Sequence, residues 1–291
     1  MQQITIHANA KINLSLDVIN RRTDGYHNVR MVMQSLSLHD TLTIRKTDAP
    51  GITLSALHAE LHPDITWDEH NLIYKAAKLW LDTYPSEHGV HIIVDKQIPS
   101  AAGLAGGSSD AAATLKGLNL LFEQDLTTEE LQKLGVTLGA DVPYCIMLGT
   151  ALAEGIGEQL SLLPPAPALY CTIVKPNQDV STKYVYEHLD LKTAGHPDVD
   201  AMICALETGS LLGLCENLGN ILEPVAVQIC PEIVTLEEKM KDLGALGVCM
   251  SGSGPTVFGL FTDGNKAIDA AEYFHDHGYP DTAFATRFFH P

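Results

Sequence analysis

One stretch, Pro99, Ser100, Ala101, Ala102, Gly103, Leu104, Ala105, Gly106, Gly107, Ser108 and Ser109, constrains this chain more than any other. A strand-like run, Val90 to Val94, leads into it through Lys96, and a helix-like run, Asp110 to Phe122, leaves it. Its three glycines permit backbone angles closed to other residues, and its serines and alanines leave little side chain to block a ligand. A helix beginning near Ser108 turns its unpaired N–H groups and positive dipole end into the loop, which is how proteins cradle phosphate. A plain tight turn, with Ser108 or Ser109 as N-cap, writes the same pattern. No Lys-Ser/Thr pair follows the last glycine, so this is not a P-loop, and a bound nucleotide must find its cation elsewhere.

At 291 residues the chain exceeds the usual size of one hydrophobic core, so two domains are expected. The stiff stretch Leu163-Pro-Pro-Ala-Pro167 places the boundary, giving domains of residues 1–162 and 163–291. A net charge of −18 argues against a nucleic-acid or membrane partner, because no excess of Lys and Arg neutralises phosphates. Six cysteines lie far apart, mostly in apolar runs, which reads as reduced, buried thiols in a cytoplasmic protein. No basic leader and no membrane-length apolar run is present.

Along the chain, Ile4 to Leu16 alternates as a half-buried strand does, with Lys11, Asn13 and Ser15 on one face. A lysine and an amide two apart can jointly address a ligand, or simply form a solvent-facing edge. Arg21-Arg-Thr-Asp-Gly-Tyr-His27 carries a turn signal with a ring to stack and an imidazole to hydrogen-bond, suited to a heteroaromatic base or to a bare hairpin. Met31 to Leu38 and Asp40 to Arg45 read as further strands. His58 and His62 lack the zinc-protease spacing and read as surface residues. Asn71 and Lys96 flank the unit before the loop, Thr127 to Glu130 is a capping box, and Asp141, two before Pro143, is either a helix cap or a catalytic acid. Beyond the prolines the order is strand, helices (182–190, 198–207, 210–217, 231–243), strand, glycine turn, strand, helix, strand, an α+β pattern. The turn, Met250-Ser-Gly-Ser-Gly-Pro255, partly mimics a dinucleotide fingerprint, but Val257 stands where its third glycine belongs and a strand follows, which argues against Rossmann binding and leaves a turn that closes over a ligand or a plain hairpin.

Lys11-Ile-Asn-Leu14, the Pro99 loop and Ser251-Gly-Ser-Gly-Pro255, in that order, resemble the GHMP superfamily of small-molecule kinases, which includes galactokinase, homoserine kinase, mevalonate kinase and phosphomevalonate kinase. The resemblance spans essentially the whole chain. Asp24-Gly-Tyr-His27, Asn71-Leu-Ile73 and Gly139-Ala-Asp-Val-Pro143 are similar to the branch that acts on a methylerythritol alcohol linked to cytidine diphosphate, in the non-mevalonate isoprenoid route.

The resemblance implies an N-terminal α+β ATP-binding domain, a C-terminal ferredoxin-like α+β domain, and an active site between them. It matches Lys11 and Asp141 to the catalytic pair, and Pro99 to Ser109 to the triphosphate loop. Asn71 and Lys96 match positions near the adenine, and Asn13, Tyr26, His27, Thr182 and Tyr186 match the cytidine-containing substrate. ATP and Mg²⁺ are the implied cofactors, though no motif ties a residue to the metal. Ala105 replaces a glycine common in that loop. A positive φ would cost alanine about 1 kcal/mol or more, so ordinary angles are expected there. Two alternatives stay open: a related kinase of the mevalonate or homoserine type, and a nucleotide sensor without catalysis. The Asp24 to His27 motif argues against the first, since small acyclic alcohols offer nothing to stack. Lys11 with Asp141 argues against the second, since a sensor needs neither.

Overall fold

The chain begins with two long strands, β1 (Gln3–Arg21) and β2 (His27–Thr47), in a computed structural model that describes residues 1–291. Both strands run through each of two compact units. The first unit holds residues 1–10, 38–100 and 105–148, and the second holds 11–37, 101–104 and 149–291. The proline-rich stretch at Leu163 therefore lies inside the second unit, and the chain passes into that unit for the last time at Leu148 and Gly149.

In the first unit, β3 (Ile52–Ala56) pairs parallel with β4 (Gly89–Asp95), which pairs antiparallel with the end of β2 from Thr41↔Asp95 to Thr47↔Gly89. The pairs Leu42↔Val94 and Ile44↔Ile92 put fully buried side chains on one face of the pleat. Against these strands lies a helical layer of α1 (Leu72–Thr83), α2 (Gly106–Phe122), α3 (Thr128–Gly135) and α4 (Val142–Met147). α1 buries Ile73, Ala76, Ala77 and Trp80 at helical spacing. Gly117 lets α2 approach β2, since a Cβ there would come within 2.6 Å of Ile44 Cδ1. The capping box read from the sequence forms: Glu130 N–H donates to Thr127 Oγ1 at 3.3 Å, and Thr127 N–H to Glu130 Oε2 at 2.8 Å.

In the second unit, β5 (Thr150–Glu154) pairs with β6 (Gln159–Leu162) and with the first half of β2. The Leu163 stretch is not a free linker, because Thr150 holds it: Leu163 N–H donates to Thr150 O at 3.0 Å and Ala166 N–H to its Oγ1 at 3.1 Å. The rest comprises β7 (Tyr170–Val174), α5 (Thr182–His188), α6 (Val199–Glu207), α7 (Leu211–Glu216), β8 (Gly219–Asn220), α8 (Glu223–Ile229), α9 (Glu232–Asp242), β9 (Gly247–Met250), β10 (Val257–Phe261), α10 (Gly264–Asp276) and β11 (Ala283–Arg287). The sheet order β11-β7-β10-β9 is antiparallel throughout, with α10 between β10 and β11, the ferredoxin-like arrangement expected. α8, started by Pro224 at N1/N2, was not anticipated.

Two strand expectations are corrected. β1 is not half-buried: from Ala8 to Val18 both faces are covered, and Asn9, Lys11, Asn13, Ser15 and Asp17 are all at most 8% exposed. Met31 to Leu38 and Asp40 to Arg45 are one unbroken strand. All six cysteines are free, four of them buried and Cys204 exposed. No helix is long and apolar enough to cross a membrane.

Candidate active site

α2 starts two residues earlier than expected, and neither Ser108 nor Ser109 is its cap. The N-cap position falls on Ala105, which has no polar side chain to offer, and the first helical bond runs from Ser109 N–H to Ala105 O at 2.8 Å. The N–H groups of Gly106, Gly107 and Ser108 are thus left for another acceptor at the positive end of a 17-residue helix. Ser109 is buried, and its hydroxyl turns inward to donate to the Asn9 carbonyl.

Ala105 itself overturns the expectation of ordinary angles: it sits at φ 57°, ψ 29°, in the left-handed region, and Ala101 has φ 50°. Helix entry from the loop demands that turn, and alanine carries the steric cost that glycine avoids, about 1–2 kcal/mol. Ala105→Gly therefore should stabilise the protein by about 0.5–1 kcal/mol after the glycine's extra unfolded-state entropy is counted. Equilibrium denaturation checks this, and a lower midpoint in the variant contradicts it.

Beneath this helix start lies a buried charge cluster. Lys96 Nζ donates to Asp110 Oδ2 at 2.8 Å and to Asp40 Oδ2. Asp40 is fully buried and also accepts the Gln97 and Ile98 amides, at 2.5 and 2.8 Å. A Cβ on Gly106 would stand 3.2 Å from Lys96 Nζ, so that glycine is what lets the helix start settle onto the ammonium. Burial raises the Asp110 carboxyl to about 7, and the neighbouring Asp40 adds to that while Lys96 opposes it. Lys96 is thus buried, and its ammonium is committed to two carboxylates. Its backbone carbonyl lies 3.2 Å from His62 Nε2, so His62, expected as plain surface, is half-buried against it. Asn71 caps α1, its Oδ1 accepting from Ile73 N–H at 2.9 Å and its Nδ2 donating to Thr66 O at 2.7 Å.

Asp141 occupies the N-cap position of α4, yet its side chain accepts no capping hydrogen bond, so the cap reading fails and the carboxylate is left unspent on the helix. Pro143 supplies the helix start instead.

In the second unit, Lys11 Nζ donates to Asn13 Oδ1 at 2.7 Å and to Gly103 O at 3.0 Å, both neutral oxygens. Lys11 N–H reaches Leu104 O at 3.1 Å, so β1 grips the segment 101–104 by backbone and side chain. The turn between β9 and β10 holds the same segment from another side. Ser251 Oγ donates to Gly103 O at 3.0 Å, and a Cβ on Gly103, at φ 71°, would come within 2.2 Å of Ser251 O. Only glycine fits there. Asn220 steadies the turn by donating to Met250 O and Gly252 O, each at 2.8 Å, and Thr182 Oγ1 meets Ser253 Oγ at 2.7 Å. Sequence reasoning missed Asp40, Asp110 and Asn220 as supports, since none belongs to a ligand-reading pattern of its own.

The turn at Asp24-Gly25 follows β1, and it presents Tyr26, 60% exposed, beside His27. The His27 ring lies 5.2 Å from that of Tyr186, tilted by 37°. Burial, with Arg21 nearby, pushes the His27 imidazole below its ordinary value, which keeps it neutral at pH 7. So β1, α5 and their loops bring Asn13, Tyr26, His27, Thr182 and Tyr186 into the unit that also holds Lys11.

The chain matches the GHMP kinase N-terminal domain over residues 71–149 and the GHMP kinase C-terminal domain over residues 202–280. It is 50% identical to the 4-diphosphocytidyl-2-C-methyl-D-erythritol kinase of Lachnoclostridium phytofermentans, covering 99% of this chain and 98% of that one. It is 44% identical to the kinase of the same name from Lachnospira eligens over the full length of both. A crystal structure of 4-(cytidine 5'-diphospho)-2C-methyl-D-erythritol kinase superposes with a TM-score of 0.84 at 34% identity, covering 99% of this chain and 100% of that one. A homoserine kinase from Cytophaga hutchinsonii shares the fold, with a TM-score of 0.77 at 21% identity, over 99% and 94% of the two chains. With uncapped amides at α2, a lysine bound only to neutral oxygens and these full-length likenesses together, the chain belongs to the GHMP kinases, in the family of the 4-diphosphocytidyl-2-C-methyl-D-erythritol kinases.

Proposed function

We propose that this kinase transfers the γ-phosphoryl group of ATP to the C2 hydroxyl of 4-diphosphocytidyl-2-C-methyl-D-erythritol, in the non-mevalonate supply of isoprenoid precursors. The full-length identity to kinases of that name carries the reading. The Gly106 to Ser108 amides and the α2 dipole suit the phosphates of ATP. Asp141 accepts the proton of the attacking hydroxyl, and its freedom from capping suits it to that role. Lys11 supplies the cation the loop lacks, because its present partners neutralise none of its charge. The transition state of phosphoryl transfer is loose, so a carboxylate of ordinary basicity suffices if it is well placed. Mg²⁺ would neutralise phosphate charge. No group of three His, Cys, Asp or Glu side chains forms a metal cage, which fits an ion held mainly by the nucleotide's own oxygens. Asn71 and Lys96 shape the nucleoside end through their caps and ion pairs. A cytoplasmic setting suits the free thiols.

Tyr26 stacks on the cytosine, and neutral His27, backed by Tyr186, hydrogen-bonds its edge, while Asn13 and Thr182 complete the polar contacts. Truncating Tyr26 to Ala should raise KM for the cytidyl substrate about 5- to 150-fold, from roughly 1–3 kcal/mol of lost base stacking, and leave KM for ATP unchanged. Steady-state kinetics with each substrate varied in turn measures both. Equal effects on the two constants would sink the assignment.

A further inference from the structure

The Lys96 cluster places two carboxylates against one ammonium, all three side chains at most 5% exposed. With both acids ionised this buried site carries a net negative charge directly beneath the amides that face an anion. Asp40 is held by two backbone amides besides Lys96, so it is the committed anion. Asp110 accepts from Lys96 on Oδ2 and lies within hydrogen-bond reach of the Asp40 carboxyl, while its Oδ1 is buried with no hydrogen-bond partner. Two carboxyls within hydrogen-bond reach of each other form that bond only if one of them carries a proton, and Asp110, which accepts no backbone amide, is the one to carry it.

We propose that Asp110 is a positioning residue that takes up a proton as nucleotide phosphates settle on the α2 amides, so that the cluster beneath them becomes neutral when they are bound. This rests on the reading of α2 as the phosphate site. Asp110 lies one helical turn below Gly106, and Lys96 Nζ lies against Gly106, so phosphate charge and cluster charge are separated by the first turn alone. The charged groups facing Asp110 are Lys96, beyond β4, and Asp40, on β2. The helices packed on α2 turn uncharged side chains inward: Ile73, Ala76, Ala77 and Trp80 from α1, Leu131 from α3, and Val142, Tyr144, Ile146 and the thiol of Cys145 from α4. The Asp110 carboxyl already stands near neutrality in the free protein, and an anion above it raises it further. Nucleotide affinity therefore falls as pH rises from about 7, until the carboxyl of the bound state ionises as well.

Calorimetry of ADP binding in buffers of different ionisation enthalpy, from pH 7 to 8.5, reads the protons exchanged. The ligand's own titration is common to both proteins and cancels in the difference between wild type and Asp110→Asn, which keeps a side-chain acceptor for Lys96. The expected result is that wild type takes up more protons than the variant, by up to one per ADP, and that the affinity of the variant no longer declines over this range. Equal proton counts overturn the role of Asp110 while leaving the nucleotide site standing, whereas failure of wild type to bind ADP overturns both. If the variant does not fold, infrared difference spectra of wild type decide: ADP should raise the protonated-carboxyl C=O band, and an unchanged band refutes the proposal.

Discussion

Replacing Asp141 with Ala should lower turnover by at least about 10²-fold while leaving ATP affinity within a few-fold of wild type. The two halves of that result have separate causes. In the proposed site the α2 amides hold ATP and do not involve Asp141, whereas the proton of the attacking hydroxyl has no other assigned acceptor. A positioned base contributes about 10²- to 10⁴-fold. Alignment of two substrates contributes roughly 7–11 kcal/mol, which the variant retains, so residual activity well above the uncatalysed rate is expected. Because Asp141 accepts no capping hydrogen bond, its removal costs α4 little, and a stable, folded variant makes the kinetic loss interpretable. Single-turnover measurements with purified variant separate the two effects, and wild-type turnover would remove Asp141 from the mechanism.

Lys11→Met is expected to reduce kcat by about 10²- to 10³-fold, the size associated with losing one preorganised charge donor to a transition state. Methionine keeps the stem of the lysine and so isolates its charge. Gly103 O still accepts from Ser251 Oγ at 3.0 Å, so the loop segment keeps one of its two clamps. Asn13 Oδ1 loses its donor, and stability should fall by about 1–3 kcal/mol, as for a buried acceptor left without a partner. Chemical denaturation and steady-state kinetics together test this. A variant that loses stability but keeps its kcat would assign Lys11 to the loop alone.

Local grammar made much of the fold readable. The capping box at Thr127 closes its hydrogen bonds within a few residues, and the strand-helix order after residue 169 follows from the local alternation and periodicity of each segment. The α2 loop was readable for the same reason. Long-range partners are what the sequence conceals. Lys96 reads only as a residue flanking the loop until β2 and β4 pair and bring Asp40, 56 positions away, against it. β1 reads as half-buried because Lys11, Asn13 and Ser15 are polar, yet each is covered by structure distant in sequence. Ala105 misled in another way: its propensity opposes the left-handed turn, and the geometry of the loop and helix overrides it. The proline stretch at Leu163 behaves likewise, since stiffness alone does not show that Thr150 will bind it.

The most direct test of the account is ATP-dependent phosphorylation of 4-diphosphocytidyl-2-C-methyl-D-erythritol by the purified protein, with mevalonate and homoserine run beside it and Asp141→Ala as control. Turnover on the cytidyl alcohol alone, lost in the variant, is the expected result. Turnover on mevalonate or homoserine instead would discard the roles of Tyr26 and His27, and tight ATP binding with no turnover on any of the three would contradict the catalytic reading itself.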